Sequence, residues 1–342
     1  MVDLRPFVDE ATLLDDYGAH LVSLSRVGDN AAWPSETGGI YGVFVTLVSK
    51  SLIWTNEPEF TDLGYKAPSD WASFMTLANE MVADGQIPFC LGIESGGADG
   101  WLVTDWVETV VLQTAGPDFY ERWIKHQVPF DDPLVVSALR TVGEMVHTPG
   151  FLDTTPAQAA DRLFTFALRE LFEKSGCLMT PYPSFMPLEI GDTGDNSVGI
   201  FAFPAFGLGH GDAVVGSASL AVAITDRPEV RKVMAALASA DFGAATAQLE
   251  FSGGQPANVR FDATTMVNLV QGEIVGELQA AIRSDEFRLD ASDAMPPKIG
   301  QGAFWEGMVR LFREGSPENL DQLSLDIARE IEAAWVELEQ SG

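Results

Sequence analysis

The apolar positions along the chain change period several times, and each change marks an element. Residues 41–54 are aromatic and β-branched with few charges and no proline, which predicts a strand. Residues 55–68, acidic and proline-containing, predict a loop. Ser69 then stands where a cap would, before apolar Trp71, Phe74, Met75, Ala78, Met81 and Val82 at helical spacing, with Gly85 as the stop. Residues 87–93 (IPFCLGI) predict a buried strand, followed by a glycine-rich loop over 94–101. Asp105 and Glu108 have capping-box spacing for a helix containing Trp106, Val107, Val110 and Val111. Asp132-Pro133 and Thr155-Pro156 predict two more helix starts, the second helix ending at Gly176. Further strands are predicted over 177–180, 198–203 and 213–224, with a helix after Asp226-Arg-Pro228 carrying Val230, Val233, Met234 and Leu237. The last third reads as helical, one helix carrying Phe304, Met308, Val309 and Phe312. Another starts at Ser316-Pro317 and carries Leu320, Leu323, Ile327, Ile331 and Trp335. Alternating helices and short apolar strands specify an α/β protein. A length of 342 residues suits about two domains. No polar linker divides them, so two lobes would require the chain to cross more than once.

Composition narrows the function. Hydrophobic residues at 46% and charged residues at 20% describe a globular chain. Twenty Lys and Arg against 50 Asp and Glu leave a formal charge of −30, which excludes ordinary nucleic-acid binding and polybasic docking on an anionic membrane. Two cysteines, Cys90 and Cys177, are too few for a cysteine-based zinc site, and the four histidines lack metal-binding spacing, so no metal is expected. The most apolar stretch, 213–224, is short and broken by Gly216, Ser217 and Ser219. The first residues lack a charged segment followed by an apolar one, so no signal peptide is read in this chain.

Catalytic motifs fail on inspection. In Gly92-Ile-Glu-Ser95-Gly96 the serine sits one place too late for a nucleophile elbow, and no Gly-Lys-Ser/Thr follows for a phosphate loop. Paired carboxylates such as Asp131 and Asp132 are what chance supplies in so acidic a chain. The aromatics say more. Trp71 and Trp335 sit at core spacing, whereas Trp33, Trp101, Tyr182 and Trp305 sit beside glycines and small polar residues. Flat rings flanked by hydroxyls and amides suit a sugar, whose C–H face meets the ring and whose edge offers hydroxyls. For any single tryptophan, burial in the core is the commoner role.

Several blocks occur together in order. They are Tyr41-Gly-Val-Phe with Trp54-Thr-Asn and Ala67-Pro-Ser-Asp-Trp71, residues 87–106 (IPFCLGIESGGADGWLVTDW), and Gly116-Pro-Asp-Phe-Tyr120. His126 to Pro133, Gly176-Cys177, Asp226 to Arg231, Phe287 to Pro296 and Gly302-Ala-Phe-Trp-Glu-Gly-Met308 continue the series. Over nearly the whole chain this resembles the bacterial ABC-transporter extracellular solute-binding proteins, sugar-binding family 1, of the α-glucoside, maltose-binding-protein-like type. The resemblance implies a two-lobe periplasmic-binding-protein-like type II fold with an interlobe cleft. It divides the chain into a first lobe of residues 1–47 and 218–262 and a second of 48–217 and 263–342. It implies a saccharide ligand, most simply an α-glucoside, a membrane permease as partner, a monomer, a periplasmic or cell-surface location for the parent, no cofactor and no catalysis.

Residue by residue, Trp305 matches a sugar-stacking tryptophan, and Phe185 matches the aromatic after the second-lobe strand, with Tyr182 and Ser184 beside it. Ser95, Trp101 and Asp105 match the loop and helix start at the ligand, Asp105 having an N-cap role as its other reading. Ser217 and Ser219 match the strand that returns to the first lobe. Two departures concern the ligand: Gly216-Ser-Ala-Ser219 replaces a Gly-Gly-rich pattern, and Pro181-Tyr-Pro-Ser-Phe185 lacks a long charged donor. The resemblance also implies that the opening βα units of the first lobe are absent, so that the chain is either a fragment or a truncated reading of its gene, with exposed core edges. It implies a Cys90–Cys177 bridge in an exported parent. A glycoside-active enzyme, with two carboxylates facing across the sugar, and a non-binding remnant are the competing readings.

Overall fold

In a computed structural model the chain is described over residues 1–28, 38–173, 176–187, 198–207, 209–249 and 253–341. Trp33, expected in a loop, lies outside the described residues. The chain forms two compact units, Met1–Ser49 with Gly216–Arg288 and Lys50–Val215 with Leu289–Gly342. The third crossing therefore lies at 288/289, not at the expected 262/263. The reason is the helix Leu269–Arg283, which packs Val275 with Ala247, Phe261 and Met266 and bonds Gln279 Nε2 to the Phe261 carbonyl at 2.8 Å.

The first unit is built on a sheet in which Gly42–Ser49 lies between Gln255–Pro256 and Val214–Val222, with Phe287–Leu289 on the far side of the latter. Gly42–Ser49 and Val214–Val222 run antiparallel, Leu47 opposite Ala218 and Val48 opposite Ser217. Gly216 has no room for a side chain, because a Cβ there would press on the Phe287 ring and the Val48 carbonyl. The helix Glu10–Leu24, capped by Asp9, carries Tyr17 to the Ala238 carbonyl at 2.8 Å.

The second unit holds an antiparallel sheet in the order Met179–Pro181, Leu52–Asn56, Val198–Ala202. Its central Trp54 is wholly buried and donates its indole N–H to the Tyr182 carbonyl at 2.7 Å. The stretch 41–54, expected as one strand, is two, broken at Lys50 and Ser51, whose side chains turn to buried polar partners. The expected loop 55–68 contains a short helix, Glu57–Asp62, because Asn56 caps it. The next helix, Trp71–Ala83, is capped by Asp70 and not Ser69, with Ser73 completing a reciprocal box. Residues 87–93 run extended but make only isolated bridges at Phe89. Pro88 has no N–H to donate, and Gly92 lies against the Leu163 carbonyl, so a regular ladder does not form.

The long helix begins at Trp101, four residues before the expected cap, with Gly100 at φ +93° in front of it. Asp105 and Glu108 are interior residues of Trp101–Ile124, committed to buried partners. The expected helix over 155–176 is two, Pro156–Ala159 and Phe166–Glu173, because the chain between them bridges to Glu94, with Phe164 N donating to the Glu94 carbonyl at 3.0 Å. Residues Lys298–Phe304 form a π-helical turn that leads into Trp305–Glu314, and Leu320–Ser341 closes the unit. Cys90 and Cys177 are bridged, their Cα atoms 5.5 Å apart. No helix among the described residues is long and apolar enough to cross a membrane.

Candidate functional site

The second unit gathers four aromatic rings at the start of its long helix. Trp101, half-buried, stacks on Phe185 with centroids 6.1 Å apart and planes 29° from parallel. Tyr182 meets Trp101 edge-on at 6.4 Å and Phe185 edge-on at 5.6 Å. Phe164 stacks on Tyr182 at 6.1 Å and meets Trp101 edge-on at 5.6 Å. Tyr182 and Ser184 are buried, whereas Trp101, Phe164 and Phe185 keep part of their surface exposed. Edge and offset contacts of this kind fix ring orientations.

Trp305 joins the group through the backbone. Gly100 lies so close to the Trp305 carbonyl that a Cβ would collide with it, which is why a glycine precedes Trp101. The Trp305 indole N–H donates to Ser292 Oγ at 3.2 Å, and Ser292 donates to Asp290 Oδ1 at 2.8 Å. Between Trp305 and the Ser95 loop is a hollow of about 470 Å³, lined by Gly96, Gly97, Asp99, Gln301, Trp305 and the outer face of Trp305–Glu314. A volume of this size falls in the range of about 300–1,000 Å³ typical of small-molecule sites. Ser95 is half-buried, and its N–H donates to Asp99 Oδ1 at 2.6 Å, which closes the loop that presents Gly96 and Gly97 to the hollow.

Below the rings is a buried ionic cluster. Lys50 Nζ bonds Asp105 Oδ1 at 2.9 Å and also Asp290 Oδ2, and lies 5.5 Å from the Trp101 ring centroid. Glu108 accepts the N–H groups of Ala291 at 2.8 Å and Ser292 at 3.0 Å, capping the short helix Ala291–Ala294, and the Tyr120 hydroxyl donates to it at 3.2 Å. Burial opposes the charge on Lys50, but attraction from Asp105, Asp290 and Glu108 outweighs it and holds the ammonium well above the ordinary lysine value. Asp290 is likewise penalised by burial yet pulled below the usual carboxylate value by Lys50 and by the helix N–H it caps. Burial pushes Asp105 and Glu108 well above theirs. The three carboxylates lie close enough together to hold a metal, but Lys50 already supplies the cation.

Of the expected residues, Trp101, Tyr182 and Phe185 share ring contacts, Trp305 lines the hollow and reaches the cluster through its carbonyl at Gly100, Ser184 is buried beside Phe185 in the chain, and Ser95 precedes the lining Gly96. Asp105 is a correction. It neither caps the helix nor faces outward, for it is 0% exposed and its carboxylate is taken by Lys50. Ser217 and Ser219 lie on the first unit's strand, paired with Val48 and Thr46. Sequence reasoning missed Phe164, Lys50, Asp290 and Ser292. A lone charge inside the apolar stretch 41–54 was the one available signal for Lys50.

No protein-family model matches the chain. It is 33% identical over 275 residues to the osmoprotective compounds-binding protein GgtB of Synechocystis sp., a match covering 80% of this chain and 64% of that protein. The chain therefore spans a little under two thirds of that relative's length. It is 31% identical over 343 residues to the alpha-glucosides-binding periplasmic protein AglE of Rhizobium meliloti, covering 97% of this chain and 71% of that protein. Among solved structures, the bacterial solute receptor AcbH, reported to have an exclusive substrate preference for β-D-galactopyranose, superposes with a TM-score of 0.76 at 18% identity, covering 97% of this chain and 80% of that one.

Proposed function

The chain belongs to the extracellular solute-binding proteins of ABC importers, family 1, and from that premise we propose that it binds an uncharged saccharide on its second unit and leaves it chemically unchanged. The observation that carries this reading is Trp305 lining the 470 Å³ hollow, with its carbonyl packed against Gly100 next to the Trp101, Phe185 and Tyr182 ring cluster. The half-buried Trp305 ring at the hollow takes the apolar face of a pyranose, while Asp99 and Gln301 offer polar groups to its hydroxyls. An α-glucoside is the first candidate, supported by the description of AglE, and a galactoside the second, supported by that of AcbH. On the same reading the protein works outside the cytoplasm and delivers the saccharide to a membrane permease. The reading rests on the second unit alone, and Ser217 and Ser219 carry no part of it.

Calorimetric titration with maltose, trehalose, sucrose, galactose and longer α-glucosides, alongside a hydrolysis assay, tests it. Binding without turnover is expected. Turnover, or silence for every sugar, rejects it. Trp305→Ala is expected to weaken binding by about 1–3 kcal/mol, the scale for losing an aromatic contact. Unchanged affinity would return Trp305 to a purely structural role.

A further inference from the structure

We infer that Lys50 is a positioning residue that sets both tryptophans of the saccharide site, an inference that rests on the sugar-binding reading above. Two independent contacts lead to it. Its ammonium lies 5.5 Å from the Trp101 ring centroid, a cation–π distance. On its other side it bonds Asp290, whose second oxygen accepts from Ser292, and Ser292 in turn accepts the Trp305 indole N–H. One buried cation therefore fixes the face of one ring and, through two hydrogen-bonded groups, the edge of the other.

Stability alone does not account for the cluster. Burying an ammonium with a carboxylate costs several kcal/mol per ion, and apolar residues of similar volume often do as well or better. What apolar residues do not supply is directional anchorage, and the cluster supplies a great deal of it. Lys50 N donates to the Val215 carbonyl at 2.8 Å, and Val215 N donates to Ser51 Oγ at 3.0 Å. Ser51 Oγ lies 2.9 Å from Thr109 Oγ1, and Glu108 receives the N–H groups of Ala291 and Ser292. Near each of the three places where the chain enters or leaves the second unit it is thus tied to one stripe of the long helix: Lys50 to Asp105, Val215 through Ser51 to Thr109, and Ala291 and Ser292, just after Leu289, to Glu108. The tryptophans are held by the same groups that hold the chain ends.

Ser292→Ala removes the Trp305 anchor without changing charge, and Lys50→Met removes the cation. Each is compared with the wild type by the indole N–H resonances of the tryptophans and by saccharide titration. In Ser292→Ala the Trp305 resonance is expected to move while Trp54, held by the Tyr182 carbonyl, stays in place, and saccharide affinity is expected to fall about three- to tenfold, the worth of one net hydrogen bond. In Lys50→Met both the Trp101 and Trp305 resonances move. If Lys50→Met does not fold, Ser292→Ala decides the relay to Trp305, and Lys50→Arg, which keeps the cation, decides Trp101: a resonance that stays in place there supports the contact, and loss of the folded spectrum overturns it. A Trp305 resonance unmoved in Ser292→Ala, or affinity unchanged when it does move, overturns the inference. A wild-type protein that binds no saccharide while its resonances respond as expected overturns the sugar reading instead.

Discussion

Replacing Cys90 and Cys177 together with alanine should cost about 4–5 kcal/mol of folding free energy. The bridge links residues 87 apart. In the chain-entropy description, opening a loop of that length returns about 15 cal/mol/K to the unfolded ensemble, or about 4.6 kcal/mol at 25 °C. The folded state should change little. Cys90 N donates to the Met179 carbonyl at 3.0 Å, and Thr180 Oγ1 donates to the Cys90 carbonyl at 2.9 Å. These bonds hold the two segments side by side without the sulfurs. Alanine is preferred to serine because both positions are buried and a hydroxyl there would need a partner. The assay is equilibrium urea unfolding of oxidised, reduced and double-alanine protein. The free energy should fall, and the slope with urea should rise, since the uncrosslinked chain exposes more surface when unfolded. A loss below about 1 kcal/mol with an unchanged slope would show that the argument from the unfolded chain is wrong.

Three further outcomes follow from the geometry. Gly100→Ala, at φ +93° with the Trp305 carbonyl against it, should destabilise the second unit by about 1–3 kcal/mol, read from thermal unfolding, and should shift Trp305 fluorescence. His126 stacks on Trp335 and bonds Glu339 at 2.7 Å and Glu332 at 3.1 Å. Burial opposes its charge, but these carboxylates prevail and raise its pKa above the ordinary 6.5. Its stabilisation is therefore fully present below about pH 6.5 and is lost as pH rises through the folded value, a slope that should disappear in His126→Gln. Asp105→Leu should unfold the protein more readily than Asp132→Ala, because the first strips a partner from buried Lys50 and the second removes a half-buried helix cap.

How much of this was readable in the sequence depends on where the partners lie. The helix Trp71–Ala83 and the cap-then-proline starts at Asp132 and Thr155 were legible because their causes are local. The break at Lys50 was not, since its partners Asp105 and Asp290 stand 55 and 240 residues away and the local pattern is simply apolar. Asp105 and Glu108 mimicked a capping box because the spacing of a cap and that of one helical face are the same three residues. The split of the 155–176 helix depended on a bridge to Glu94, and the late third crossing on how Leu269–Arg283 packs. Trp101, Tyr182, Phe185 and Trp305 were legible as candidates through the family blocks, whereas Phe164 carried no local mark.

The ties at Asp105, Glu108 and Thr109 leave this stretch exposed to one kind of genetic change. Each residue of an α-helix advances the azimuth by about 100°. A single-codon insertion between Trp101 and Asp105 would therefore swing all three anchors off their partners at once, although every amino acid that makes a contact would still be encoded. Point substitutions there release one tether at a time, but a frame-preserving insertion or deletion releases the set.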